Sequence, residues 1–358
     1  MKIGLLVHPY EPERPGGLGR ANFAYVEALL KSDRANSYTI YLKGAPHKTS
    51  FSTYQNATVV WMGNGPLWLT GFRALDPSLD LYVFFNPIIP LFFYPKKSIV
   101  IAYDFAFLKM GSSSLKDYIQ TWFTYMLQYR SLHKATRVVT ISDATKEDIV
   151  QYFKIARDKI NMIHVGYMAL TQPARPMSLP EPFFLFAGVL KERKNVAGII
   201  RAFAVLHASH PGITLVIAGK KEGAYYQSLL RLITELQIAS HIHFLGYVSN
   251  EELAYLFSKA VALVFPSFVE GFGMPVLEAM HAGTPVITSR EGALAEVAGT
   301  AALLVDPHDP ADIANAMRHI AEDAGLREEL VKKGYARAAE FSWEKTGQKL
   351  VEVINSLA

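Results

Sequence analysis

Short, uninterrupted apolar runs spaced by longer amphipathic stretches recur through both halves of the chain, and this rhythm most narrows what the sequence can fold into. Strand-like runs fall at Ile3–Val7, Thr39–Leu42, Thr58–Met62, Leu81–Phe85, Ile99–Ala102, Arg137–Ile141 and Ile160–Val165. They recur at Phe183–Ala187, Thr214–Ala218, Ile242–Leu245, Ala262–Phe265, Pro285–Thr288 and Ala302–Val305. Helical periodicity lies between them, near Ala21–Lys31, Ser114–Lys134 and Ala144–Phe153 in the first half. The second half has it near Val196–Ser209, Tyr226–Leu236, Glu251–Lys259, Pro275–His281, Ala311–Asp323 and Leu326–Phe341. A half-exposed strand alternates apolar with polar residues, and these runs do not, so both of their faces are expected to be buried. Strands covered on both faces and separated by helices form parallel sheets. The expectation is an α/β chain with two doubly wound parallel-sheet domains.

At about 100–200 residues per domain, the length of 358 residues agrees with two domains. Four prolines, Pro173, Pro176, Pro180 and Pro182, mark Gly166–Pro182 as the linker. The expected division is residues 1–170, residues 171–342, and a last helix within 343–358. Half of the residues are apolar, 19% are charged and the net charge is only +4, which rules out a disordered or coiled-coil chain. The absence of cysteine excludes a disulfide scaffold, a thiol nucleophile and thiolate-ligated zinc, and fits a reducing compartment. The start, MKIGLLVHPY, is too brief an apolar run for a secretory signal. Leu81–Tyr94 is the most apolar long segment, but Asn86, Pro87 and Pro90 interrupt it, so no membrane span is expected. A cytoplasmic protein without a nucleic-acid partner follows.

The net charge hides an asymmetry. Residues 1–178 carry +8 and residues 179–358 carry −4. The basic half also holds aromatic clusters at Phe84-Phe85 and Phe92-Phe93-Tyr94, followed by Lys96-Lys97. One reading is peripheral contact with an anionic membrane face or a negatively charged acceptor. The other is a solvated basic surface over an aromatic core.

The sharpest local feature is FPSFVEGFGMPVLEAMHAG, Phe265–Gly283. A buried strand runs into a loop with Glu270, Gly271, Phe272 and Gly273. A helix follows, opened near Pro275 and capped by Gly283. Glu278 is placed in its first turn. Glycines let backbone amides approach a ligand, and a helix N-terminus favours an anion such as a diphosphate. Two carboxylates beside an anion are costly unless they accept hydrogen bonds from hydroxyl groups. A ligand that is part diphosphate and part polyol, a nucleotide sugar, satisfies both demands. The plainer reading is a glycine turn with a solvated glutamate and a dipole-favoured one.

LFAGVLKERKN, Leu185–Asn195, sits in the equivalent place after another strand. The strand ends at Gly188, and Arg193 and Lys194 precede the next helix, where fixed cations neutralise charge on a departing phosphate. Pro15-Gly16-Gly17-Leu18-Gly19-Arg20 follows the first strand and is a weak phosphate-loop signal. As a dinucleotide fingerprint it fails twice. Asn22 stands where a third Gly or Ala belongs, and Leu42-Lys43-Gly44 lacks the acidic residue for a ribose hydroxyl. No Asp-x-Asp motif and no metal-ligand spacing of His, Asp and Glu occurs, so neither a metal nor another cofactor is expected.

EGFGMPVLEAMHAGTPVITS with EVAGTAALLVDP, preceded by GVLKERKN, LVIAGKK and FLGYVSNEEL, closely resembles the family 4 retaining glycosyltransferases of the GT-B fold. Within that family the sequence looks like bacterial enzymes that often carry a mannosyltransferase label. The resemblance implies two Rossmann-like domains facing across a cleft, with the last helix packing back on the first. It implies that Glu270 meets the donor sugar's hydroxyls and Glu278 the nucleotide's ribose. Gly271, Phe272, Gly273 and Met274 would present backbone to sugar and diphosphate. Lys194 and Arg193 would hold the diphosphate as it leaves, beside Gly188. Tyr247 and Val248 would seat the base, and Gly17 would touch the phosphate from the first domain.

Two departures stand out. Many relatives place a His-Asp pair where this sequence has Tyr103 and Asp104, on the acceptor side, and a tyrosine with a pKa near ~10 accepts protons poorly at neutral pH. Val189 stands where some relatives have an arginine. The implied activity is metal-independent, retaining transfer of a hexose from a nucleoside-diphosphate sugar to a glycan or lipid-linked acceptor, as in surface-polysaccharide synthesis. GDP-mannose is the first donor reading and UDP-glucose the second. The rival classes are a nucleotide-sugar epimerase, a dinucleotide oxidoreductase and a non-catalytic two-domain sugar-binding protein.

Overall fold

A computed structural model describes residues 1–9, 18–44, 49–63, 65–111, 114–170 and 178–358. The chain divides into two compact units, Met1–Gly166 with Ser342–Ala358, and Tyr167–Phe341.

The first unit is built on seven strands: β1 (Lys2–Val7), β2 (Ser37–Leu42), β3 (Ala57–Trp61), β4 (Leu81–Phe84), β5 (Ser98–Ala102), β6 (Arg137–Thr140) and β7 (Ile160–Met162). Their order in the sheet is β3-β2-β1-β4-β5-β6-β7 and every pairing is parallel. The second unit has β8 (Phe183–Ala187), β9 (Thr214–Ala218), β10 (Ile242–Gly246), β11 (Ala262–Phe265), β12 (Val286–Ser289) and β13 (Leu303–Val305). These lie in the order β10-β9-β8-β11-β12-β13, again all parallel. Both sheets reverse their winding once, between β1 and β4 and between β8 and β11. The doubly wound α/β class expected from the apolar runs is the one observed.

Burial explains the sequence pattern. All five residues of β8, FFLFA, are buried, as are all those of β4, β5, β9, β11 and β12. Helices such as Val196–Ser209 cover the sheet and bury one side of their own, through Ile199, Ile200, Phe203 and Leu206. Aromatic rings fill much of the first unit's core. Tyr82 meets Phe93 edge-on with centroids 4.7 Å apart, and Phe105 lies 4.8 Å from Phe153. Three short helices were not expected from the sequence: Leu67–Thr70, Ala106–Lys109 and Gly292–Ala298. Among the described residues no helix is long and apolar enough to cross a membrane.

The last helix, Trp343–Asn355, packs within the first unit against the helix Leu18–Ser32. Ser342 caps it by accepting a hydrogen bond from the Lys345 amide. Thr346 Oγ1 donates to the His164 carbonyl at 2.9 Å, and Trp343 meets Tyr25 edge-on at 6.0 Å. Gly347 lets the two helices approach so closely that a Cβ there would overlap the Ala28 backbone. Alanine is the better helix former by about 1 kcal/mol, but backbone on the far side cannot yield without parting the helices. Gly347→Ala is therefore expected to destabilise the protein by about 1–3 kcal/mol in urea denaturation. Gly212→Ala, where nothing stands within 4 Å, is the control. A G347A variant as stable as the control would contradict this close packing.

Candidate active site

The reversal of winding between β8 and β11 leaves a crevice at the carboxyl ends of the two strands, the usual binding position in such sheets. The loops that follow these strands bring together residues far apart in sequence. After β8 the chain makes a short 3₁₀ turn, Glu192–Lys194, and enters the helix Val196–Ser209. After β11 it passes through Pro266–Gly273 into the helix Met274–His281.

Glu270 lies between the two cations. Its Oε2 accepts a hydrogen bond from Arg193 Nη1 at 2.9 Å, and its Oε1 faces the Lys194 ammonium in an ion pair. The Glu270 side chain is 9% exposed and that of Lys194 is 11% exposed. Arg193 Nη1 also donates to the Val269 carbonyl at 2.9 Å, and the Lys194 ammonium sits 4.7 Å above the Phe265 ring. The Phe268 amide donates to the Arg193 carbonyl at 2.8 Å. The two strand-end loops are thus joined through backbone as well as charge. A buried and a half-buried cation against one carboxylate leave an excess positive charge at a helix-lined crevice, which suits an anionic ligand.

Asn195 holds this arrangement in place, a role the sequence reading did not assign. It is buried and left-handed (φ 56°) and caps the helix Val196–Ser209, accepting from the Gly198 amide at 3.2 Å. Its amide nitrogen donates to the Pro266 carbonyl at 3.2 Å and to the Pro307 carbonyl at 2.6 Å. One side chain therefore ties together the ends of β8, β11 and β13. An asparagine directly before an apolar helical run is a helix-start signal and is the feature that marks it in the sequence.

The helix Met274–His281 starts at Gly273, whose φ of 120° is one that side chains rarely adopt. A Cβ there would also come within 2.6 Å of Leu294 Cδ2. Gly271, Phe272 and Gly273 are buried, and the Phe272 ring packs edge-on against Phe341 at 5.7 Å. With Met274 as its first residue, the helix carries Glu278 fifth, in the second turn. The expected first-turn position is thus corrected, because the helix opens one residue before Pro275. Glu278 is half-buried there.

The other expected residues are Gly188, at the carboxyl end of β8, and several that lie elsewhere. Gly188 directly follows β8, and its amide donates to the Ala218 carbonyl at 2.9 Å. Tyr247 and Val248 follow β10, the strand at the far edge of the same sheet, and Tyr247 is exposed. Gly17 lies outside the described residues. Tyr103 and Asp104 belong to the first unit, just after β5. Tyr103 is buried, and its hydroxyl donates to Asn22 Oδ1 at 2.5 Å. Burial, and next the neighbouring Tyr25, hold that hydroxyl well above the ordinary tyrosine pKa. Tyr103 therefore stays protonated and serves to lock Asn22, which also donates to the Pro9 carbonyl at 2.8 Å. Asp104 accepts from the Ala106 amide at 3.2 Å, in the turn that opens a short helix. Among the described residues no group of three or more His, Asp or Glu side chains converges as a metal site.

Residues 172–337 match the family model described as Glycosyl transferases group 1. The chain is 27% identical over 361 residues to the O-antigen chain mannosyltransferase B of Escherichia coli, covering 92% of this chain and 93% of that one. It is 28% identical over 282 residues to the serotype-specific mannosyltransferase WbdA of Escherichia coli, covering 74% of this chain and 34% of that protein. It thus spans about a third of WbdA's length. The solved structure of Anabaena HepE in complex with UDP-glucose superposes with a TM-score of 0.76 at 20% identity, covering 99% of this chain and 100% of that one. The second unit thus holds a glycosyl transferases group 1 domain, the fold is GT-B, and the chain is a glycosyltransferase.

Asn195→Asp probes the clamp without changing side-chain size. The cap to Gly198 survives, but a carboxylate oxygen replaces the donor that faces the Pro266 and Pro307 carbonyls. A buried charge against two acceptors should cost about 2–4 kcal/mol of stability in urea denaturation. An Asn195→Asp variant with wild-type stability would contradict the clamp.

Proposed function

We propose that this chain is a retaining, metal-independent hexosyltransferase of family 4 that moves mannose from GDP-mannose to a glycan or lipid-linked acceptor during O-antigen-type polysaccharide synthesis. UDP-glucose is the second donor reading. The observation that carries the proposal is the ion-paired Arg193–Glu270–Lys194 set at the β8–β11 crevice. The likeness to mannosyltransferases over most of the chain supports the choice of sugar. The proposed workplace is the cytoplasm, on the inner face of a membrane.

The chemistry follows from the charges. The bond between the anomeric carbon and the diphosphate oxygen breaks, and its electron pair leaves with the diphosphate. Lys194 and Arg193 take up that negative charge, together with amides of the Gly271–Gly273 loop and the start of the helix Met274–His281. These cations do what a bound divalent ion does elsewhere. Glu270 accepts hydrogen bonds from the sugar's hydroxyls and holds the ring while positive charge develops on the anomeric carbon. The acceptor hydroxyl attacks from the face the diphosphate leaves, and its proton passes to the departing diphosphate. Tyr103 takes no part in that proton transfer, since its hydroxyl is buried and already donating to Asn22.

Lys194→Ala should lower kcat for sugar transfer about 10²–10³-fold, the usual cost of removing one donor to a developing oxyanion. The folded variant is assayed with GDP-mannose and with UDP-glucose in EDTA. Unchanged kcat in K194A would contradict the assignment. Conversion of the donor to an isomeric sugar nucleotide without acceptor would indicate an epimerase instead.

A further inference from the structure

The second unit begins at Tyr167 and ends at Phe341, and each of these residues fastens one end of the helix Met274–His281. The Tyr167 hydroxyl and His281 Nδ1 share a hydrogen bond of 2.9 Å, with the two ring centroids 5.2 Å apart. A phenol both donates and accepts, so this bond survives either protonation state of the imidazole. His281 is the last residue of the helix and lies one turn beyond Glu278.

At the other end, the buried Phe341 ring packs edge-on against the buried ring of Phe272. Gly271 and Gly273 on either side of Phe272 have no side chains, so this ring anchors the stretch that opens the helix. Phe341 is itself fastened. The Arg337 guanidinium lies 4.7 Å over its ring, and Arg337 donates from Nε to the Val297 carbonyl at 2.9 Å and from Nη2 to the Glu296 carbonyl at 2.6 Å. Beyond Phe341 the chain returns to the first unit at Ser342 and Trp343. There a Cβ on Gly166, the residue before Tyr167, would overlap the Trp343 backbone. The two crossings between the units are therefore neighbours in space, and both lead to the same helix.

We propose that Tyr167 and Phe341 are positioning residues for the donor: they set the two ends of the helix Met274–His281 and, with it, the Gly271–Gly273 amides and Glu278 that receive a nucleotide sugar. They act through the helix rather than on the reacting atoms. The inference rests on the reading that the donor binds at the β8–β11 crevice. It adds that donor affinity is governed from the crossings, by one exposed hydrogen bond and one buried aromatic pair.

The test is calorimetric titration of the full chain with GDP and, separately, with UDP in EDTA, well below the melting temperature of every variant. Phe341→Leu should raise the Kd of the nucleotide that the wild type binds about 3–10-fold, the worth of one edge-on aromatic pair. Tyr167→Phe and His281→Ala should each raise it about 2–5-fold while melting at the wild-type temperature, since the bond they remove is exposed. Because both remove the same bond, the double variant should bind no more weakly than the worse of the two single variants. In transfer assays the donor KM should rise in each with kcat nearly unchanged. Wild-type Kd in all the variants, or Tyr167 and His281 effects that simply multiply, overturns the positioning role and leaves the donor site standing. A wild type that binds neither nucleotide overturns the donor reading and this inference with it.

Discussion

A carboxylate nearly out of solvent is stable only if its charge is met on the spot, and Glu270 is met twice. Lys194 and Arg193 approach its two oxygens from a loop more than seventy residues away in sequence. Removing Glu270 would leave two neighbouring cations uncompensated, at a cost of about 3–5 kcal/mol. The loops after β8 and β11 are therefore coupled in the ligand-free protein. The same set is one positive charge in excess. An incoming diphosphate gains from the two cations but is repelled by Glu270 unless hydroxyl groups stand between them. Under the proposed function the site would therefore favour an anion with a polyol attached over an anion alone.

Topology makes that meeting possible. In a parallel sheet the loops after neighbouring strands turn away to opposite faces only where the winding reverses, and β8 and β11 flank that reversal. The first unit repeats the design with different chemistry. Its reversal lies between β1 and β4, and there the buried Asn22 donates to the carbonyls of Pro9 and Phe85, with Tyr103 donating to Asn22 in turn. Asn195 plays the matching part in the second unit. Each sheet thus has an asparagine holding strand ends together at its switch point.

The sheets were legible in the sequence because strands covered on both faces are unbroken apolar runs, as FFLFA in β8 and ALVF in β11 show. What escaped was short or opened ambiguously. Leu67–Thr70 and Ala106–Lys109 are too brief to display a helical period, and Gly292–Ala298 opens on a glycine with φ 64°, which reads as a loop. At the site, Glu270, Arg193 and Lys194 were visible as residue types in strand-end loops. Their mutual pairing was not, because no local pattern joins residues seventy-seven apart. Tyr103 was ambiguous for a related reason. A tyrosine at a strand end looks the same whether it faces a ligand or, as here, a buried asparagine.

The central claim is that the cations at the β8–β11 crevice form a nucleoside-diphosphate site. The most direct measurement is the melting temperature of wild type and Lys194→Ala with GDP, UDP, ADP or NAD in EDTA. A ligand at 100 times its dissociation constant adds about 2.7 kcal/mol to stability. The account predicts that one nucleoside diphosphate raises the wild-type melting temperature and that the shift largely disappears in K194A. A response to NAD alone, no response to any nucleoside diphosphate, or an undiminished shift in the variant would contradict it.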